Sequence, residues 1–402
     1  MAAILAGAKN YRVVGLIGSA HGLSHVYYLS LPPLFPLLKE EFGVGYAALG
    51  LLMTTFSLIS GIGQTPVGFL VDRIGSRGVL TCGLTLQAAA IGAIGFAPSY
   101  EWVLVCVAFA GLAHTVYHPA DYAILSAAVP RERLGRAFSL HAFSGNVGAA
   151  VTPAVMVGLT ALWSWHAAFV AIGALGLAVA GLLIVQGGIL TNGAAEADRK
   201  RRAAKPGGWK ASLALLASPP ILFAFLFYVI VVSGVNGVRS FSVSAFVDMQ
   251  GMTLAAANAA LTGFMLGSAC GILIGGYLAD RLGPRLITAV VSLVSCAALF
   301  ALLGSVSLPV VLGIAALSAA GMMRGMMQAT RDLLVFSVTP EGAHGKVYGF
   351  VSSGSNLGGA VAPLVFGAVM DAGEPGLVFW LAAILVLVGL ATFAGMKRVV
   401  DR

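Results

Sequence analysis

The chain has 402 residues, of which 59% are hydrophobic and only 9% charged, with a formal net charge of +8. Ordinary globular proteins carry roughly a quarter of their residues as charged ones. This composition therefore excludes a water-soluble surface and marks an integral membrane protein in contact with the lipid bilayer.

A membrane-spanning helix needs about 20 apolar residues. Polar breaks divide the chain into twelve such segments, at 13–38, 46–71, 78–97, 101–128, 137–162, 165–187, 219–247, 254–279, 286–305, 308–337, 346–370 and 376–396. The expected fold is an all-α membrane protein with twelve transmembrane helices in two six-helix, pseudo-symmetric halves. The apolar run after Arg12 is much longer than the hydrophobic region of a cleavable signal, so the chain is read as opening on its first span.

Basic residues gather at alternate breaks: Lys9 and Arg12, Arg73 and Arg77, Arg131, Arg133 and Arg136, Arg281 and Arg285, Lys346, Lys397 and Arg398. The opposite breaks are nearly all acidic or neutral, with Glu40, Glu41, Glu101, Asp248, Asp371 and Glu374. Positive loops face the cytoplasm, which puts both termini inside and accounts for the basic balance without a nucleic-acid partner. The stretch Thr191–Lys210 is small, polar and basic, and reads as a cytoplasmic linker between an N-terminal bundle (1–190) and a C-terminal bundle (211–402). Cys82, Cys106, Cys270 and Cys296 lie in apolar segments without paired spacing, which suggests neither a disulfide framework nor a zinc site.

The halves are copies. GFLVDRIGSR (Gly68–Arg77) recurs as GYLADRLGPR (Gly276–Arg285), so Gly68, Asp72, Arg73, Gly75 and Arg77 map onto Gly276, Asp280, Arg281, Gly283 and Arg285 with one offset. GNVGAAVTP (Gly145–Pro153) recurs as SNLGGAVAP (Ser355–Pro363), and Gly111 as Gly321. Parallel repeats in a membrane chain point to a transporter. No nucleotide-binding P-loop is present, so no cofactor is implied and transport is expected to be secondary, by a monomer.

The duplicated loop resembles the signature of the major facilitator superfamily, G-x-x-x-D-R-x-G-R, with Ser76 and Pro284 where many members are basic. The resemblance covers essentially the whole chain. Residues 41–73, YHPADYAILSA and FSGNVGAAVTP look most like the fosmidomycin-resistance branch of proton-driven exporters. Members of that branch carry an Asn-Asp pair after a helix-1 His and an acid directly after a helix-4 His-Pro. Here the stretches read His21-Gly22-Leu23-Ser24-His25 and His118-Pro119-Ala120-Asp121, so the acid is missing or displaced.

Physically, the loop reads as a cytoplasmic gate built from Gly68, Asp72, Arg73, Gly75, Arg77, Asp280, Arg281 and Arg331. The glycines allow close approach and a tight turn, and Asp72 suits a helix N-terminus or a basic partner. Arg73 and Arg77 also serve as topology determinants. Ionisable residues inside spans are costly and mark a substrate or proton path. On the fourth span His114, His118 and Asp121 form one stripe at i, i+4 and i+7, and on the tenth Arg324, Gln328 and Arg331 take the equivalent positions. The first span adds His21, His25 and Tyr28, and the seventh Asn236 and Arg239; pseudo-symmetry would turn all four faces to one cavity. The substrate-binding set is thus His21, His25, Tyr28, His114, His118, Asn236, Arg239, Arg324 and Gln328, and the proton-coupling set His114, His118 and Asp121. Asp121 has a rival role, a salt bridge to Arg77 in the gate, and Arg331 one with Asp332 or Asp280. Each histidine alone also fits a neutral ring bonded to a backbone carbonyl. Pro119 is expected to kink the fourth span beside His118.

The leading reading is a proton-coupled carrier of a small organic anion or anionic drug, with export by antiport favoured and uptake by symport as the alternative. A second is a transition-metal transporter using the i, i+4 pairs His21/His25 and His114/His118; intramembrane arginines count against it. A His-box membrane enzyme needs more histidines and a carboxylate set that is missing from the chain.

Overall fold

The computed structural model describes residues 2–190, 209–282, 286–337, 339–340 and 344–400, almost all of them helical. In chain order the helices are α1 (Ala2–Leu29), α2 (Phe35–Phe42), α3 (Tyr46–Ile74), α4 (Ser76–Ile94), α5 (Tyr100–His114), α6 (Tyr117–Ala128), α7 (Arg131–Leu162), α8 (Trp165–Val185), α9 (Trp209–Leu216), α10 (Pro219–Gln250), α11 (Leu254–Leu282), α12 (Leu286–Ser305), α13 (Val310–Ser337), α14 (His344–Asp371) and α15 (Gly376–Val400). Among the described residues eleven stretches are long and apolar enough to cross a membrane, against the twelve expected; α1, the expected first span, is not among the eleven. The expected linker lies outside the described residues except for Trp209 and Lys210, which open α9.

Two expected spans are interrupted, both by proline. In the first, α1 stops at Leu29 and the chain turns through a 3-10 turn, Pro32–Leu34, into α2. Pro32 and Pro33 lack the N–H that continuation would use. In the fourth, the helix breaks between α5 and α6. Pro119 cannot bond the Thr115 carbonyl, and Thr115 and Val116 instead bond back three residues, to Leu112 and Ala113, at 3.3 and 3.5 Å. The ladder resumes at Ala120, whose N–H reaches the Val116 carbonyl at 3.0 Å. Pro66, Pro153 and Pro363 sit inside unbroken helices.

The chain forms two compact units: unit 1 is Met1–Leu31 with Thr55–Lys205, and unit 2 is Pro32–Thr54 with Pro206–Arg402. In unit 1, α1 packs on α7, and α4 on α5 and α8; in unit 2, α11 packs on α13, and α10 on α14 and α15. Lipid offers no hydrophobic drive between helices, so small residues that admit close backbone approach carry the packing. A side chain at Gly111 would lie 2.8 Å from the Phe56 carbonyl oxygen, and one at the equivalent Gly321 would strike the carbonyl oxygen of Phe264. Phe56 and Phe264 are themselves equivalent, so one contact is made twice. Outward faces stay oily: Ile62, Phe69, Leu273 and Val311 are all exposed.

Candidate transport site

The site in unit 1 begins with the break in the fourth span. Past it, α6 carries His118 and Asp121 toward α1 and α7. Asp121 is wholly buried, and its Oδ2 accepts a hydrogen bond from His141 Nε2 at 2.9 Å, while His21 Nδ1 lies 3.4 Å from the same oxygen. The rings of His21 and His141 stack with centroids 3.7 Å apart and planes 26° off parallel. His25 meets His21 edge-on at 4.8 Å, and His118 lies 5.4 Å from His21 and stacks on Tyr122 at 6.0 Å. A buried charge needs such partners, because its desolvation otherwise costs several kcal/mol. Spare capacity remains: Asp121 Oδ1, His141 Nδ1 and His118 Nδ1 are buried without a hydrogen-bond partner among the described residues.

Gly145 makes room for this cluster. A Cβ there would stand 2.8 Å from His25 Nε2 and 2.9 Å from His21 Nε2. Its neighbour Gly148 seats α7 on the backbone carbonyl of Gly22. The two small residues therefore set the distance at which α7 delivers His141 to Asp121.

His114, on the other side of the break, keeps different company. Its Nδ1 lies 3.3 Å from Gln87 Nε2 on α4, and its ring sits 5.0 Å from Phe56, 5.5 Å from Tyr117 and 6.4 Å from Tyr28. The single stripe expected from i, i+4, i+7 spacing is thus divided, because the spacing assumed an unbroken helix. His118 and Asp121 join His21 and His141; His114 joins Gln87, Tyr28 and Phe56.

In unit 2 the equivalent helix α13 is continuous. Arg324 Nη1 donates to Ser268 Oγ on α11 at 2.7 Å. Arg324, Gln328 and Arg331 line a cavity with Phe227, Val231 and Leu293 that leaves about 20 Å³, room for one water. Arg331 lies over the ring of Tyr228, 4.2 Å from its centroid, a cation–π contact. Asn236 is buried in α10 and Arg239 is half-buried a turn later.

The expected gate residues are partly described. Gly75 adopts φ 95° between α3 and α4, a conformation that favours glycine, so the tight turn is there. Arg73 is exposed at the end of α3, and Arg281 lies over Tyr277 at 4.6 Å. The side chains of Asp72 and Asp280 lie outside the described residues. Two expectations are corrected. Asp121 bonds to His141, and Arg77 packs its guanidinium on Gly187 just past α8, so the two are not paired with each other. A Cβ at Gly68 would meet nothing within 4 Å among the described residues, so no close approach is made there in unit 1.

Two residues of the site, His141 and Gln87, are absent from the set expected from the sequence. A lone amide in the apolar run around Gln87 was the available signal. His141 stands out equally as a polar residue inside a span, but its pairing does not, since its partner is on another helix. His21, Asp121 and His141 present three donor atoms within 4.8 Å of one another, the arrangement closest to a metal site among the described residues.

The family model of the Major Facilitator Superfamily matches residues 17–254 and 239–401. The chain belongs to this superfamily. It is 26% identical over 375 residues to an uncharacterized MFS-type transporter, YfnC, of Bacillus subtilis (strain 168), covering 91% of this chain and 88% of the relative. It is 24% identical over 404 residues to the fosmidomycin resistance protein of Escherichia coli (strain K12), covering 95% and 92%. In fold it is similar to a bacterial homologue of the human lysosomal transporter Spinster, solved in an inward-facing, occupied conformation, with a TM-score of 0.80 at 15% identity over 96% of this chain and 97% of that one. The protein is an integral membrane protein and a secondary transporter of small molecules, not an enzyme.

Proposed function

We propose that this transporter couples protons to the movement of a small organic anion or anionic drug, with export by antiport as the favoured mode. The observation that carries the reading is the buried Asp121 carboxylate shared between His141 and His21. A carboxylate accepting from a neutral imidazole holds one net negative charge; one further proton on a ring nitrogen removes it, and no group loses its partner. A set that alternates between these states in a buried site is a proton carrier. His118 stands beside this pair and His114 across the break, and both are assigned to the proton path with Asp121. In unit 2, the permanent cations Arg239 and Arg324, with Gln328 and Asn236, supply charge and donors for an anion. His21, His25 and Tyr28 complete the proposed substrate set. Export is supported by the likeness to an Escherichia coli relative named a fosmidomycin resistance protein. Uptake by symport is supported by charge alone, since a proton and an anion favour each other's binding.

The transition-metal reading has the three donor atoms at suitable separation. Against it, stacked rings carry their in-plane lone pairs side by side, whereas tetrahedral ligation needs them to converge. Of the two pairs it relied on, His114/His118 is divided by the break in the fourth span, while His21 and His25 stay in contact.

The proposal extends to topology. Signature loops and both termini face the cytoplasm, residues 1–190 and 211–402 form the two bundles, residues 191–210 link them, and Asp72, Arg73, Arg77, Asp280, Arg281 and Arg331 work the cytoplasmic gate of a monomer in the bilayer. Thermal stability of the purified protein against the phosphonate fosmidomycin, small carboxylates, Zn²⁺ and Co²⁺ tests the substrate class, since a ligand selective for the folded protein raises Tm. Stabilisation by an anion is expected. Stabilisation by the metals alone would replace this reading with the other.

A further inference from the structure

Helix α3 begins without a cap of its own. The residue before it is Gly45, which has no side chain to accept from the free N–H groups of the first turn. The acceptor comes from elsewhere in unit 2: Asp371, the last residue of α14, takes the Tyr46 N–H on Oδ1 at 2.6 Å and the Ala47 N–H on Oδ2 at 2.8 Å. The internal repeat shows that this arrangement is particular to α3. Under the offset relating Gly68 to Gly276, Gly45 corresponds to Thr253, whose own Oγ1 accepts from Ala256 N–H at 3.2 Å and caps α11. Under the offset relating Pro153 to Pro363, Asp371 corresponds to Ala161. One copy caps itself; the other borrows a carboxylate.

The borrowed cap heads a line of contacts between α3 and α14. A side chain at Gly45 would lie 2.7 Å from Asp371 Oδ2, and one at Gly367 would lie 2.6 Å from the Tyr46 carbonyl oxygen. Gly50 sits against the Pro363 carbonyl, and Thr54 Oγ1 donates to the Ala360 carbonyl at 2.6 Å. Positions 46, 50 and 54 are one helix face. These contacts are almost wholly to backbone groups through glycines and one hydroxyl, so they can part without leaving a large apolar surface behind. The dissociable element is the charge at the helix end.

We propose that Asp371 is a detachable N-cap, a latch that holds the first turns of α3 on α14 at the end of α3 opposite the signature loop, and that it releases and re-forms in the transport cycle. Transport by alternating access requires such contacts to exist in one state and break in another.

The test uses the full chain in nanodiscs, with its four native cysteines replaced by serine and spin labels on Glu41→Cys and Glu374→Cys, both exposed positions. Two distances are expected, the shorter one dominant. Asp371→Asn and Asp371→Ala should raise the longer population about two- to fivefold, as expected from removing a carboxylate from a helix N-terminus. Gly45→Ser gives α3 the self-cap that α11 already has and displaces the carboxylate, so it should shift the distances in the same direction with no loss of thermal stability. A single distance, unchanged in all three variants, would show a fixed structural cap and overturn the proposal.

Discussion

The two copies of the fourth helix of each repeat start from the same pattern and end differently. In α5–α6 the helix is broken, and its polar residues His114, His118 and Asp121 are divided between two neighbourhoods. In α13 the helix runs through, and Arg324, Gln328 and Arg331 line a single narrow cavity. The local cause is one residue: Pro119 stands where the other copy has Ala329. The chemistry diverges with the geometry. The broken copy buries histidines and a carboxylate, which can gain or lose a proton, and the continuous copy holds arginines, which stay cationic. On the function proposed above, one repeat unit would thus serve twice, as a proton site and as an anion site.

The largest effect predicted by this contrast is at Arg324. Arg324→Ala should weaken anion binding most, since loss of a charged hydrogen-bond donor costs roughly 1.5–3 kcal/mol, or about ten- to 150-fold in affinity. Arg324→Lys, a point charge in place of the planar fork, should weaken binding less. Equilibrium binding of the anion found in the stability screen measures both, and unaltered affinity in Arg324→Ala would move the anion site away from α13.

A smaller effect is expected at the break itself. Pro119→Ala restores the missing N–H, so the helix can close over Thr115, with a gain of about 1 kcal/mol and a Tm rise of a few degrees. Straightening would move His118 and Asp121 relative to His114, and turnover should fall severalfold while binding persists. Turnover equal to that of the unmodified chain would mean that the break merely accommodates packing.

Much of this was legible in the sequence, because the informative patterns are local. Apolar runs located the spans, and the repeated GxxxDRxG loop and the constant offset revealed the two halves. The polar residues of the cluster were legible as types, since a His or Asp within an apolar span stands out. Their partners were not. Asp121 meets His141 across two helices, and Asp371 caps Tyr46 from more than three hundred positions away; no periodicity encodes either contact. The stripe on the fourth span misled for a related reason. Its spacing is real, but the Pro119 that was expected to kink the helix goes further and divides it, so spacing no longer means a shared face.

The proposed division of labour between the copies is tested most directly by flux in proteoliposomes, with and without an imposed pH gradient, for Asp121→Asn and His141→Ala beside the unmodified chain. Asp121→Asn is expected to keep substrate exchange at zero gradient while losing the acceleration that a gradient gives. His141→Ala should do the same, because the carboxylate then lacks the imidazole that shares its proton. If both variants remain fully gradient-driven, the buried cluster is structural and the proton travels elsewhere.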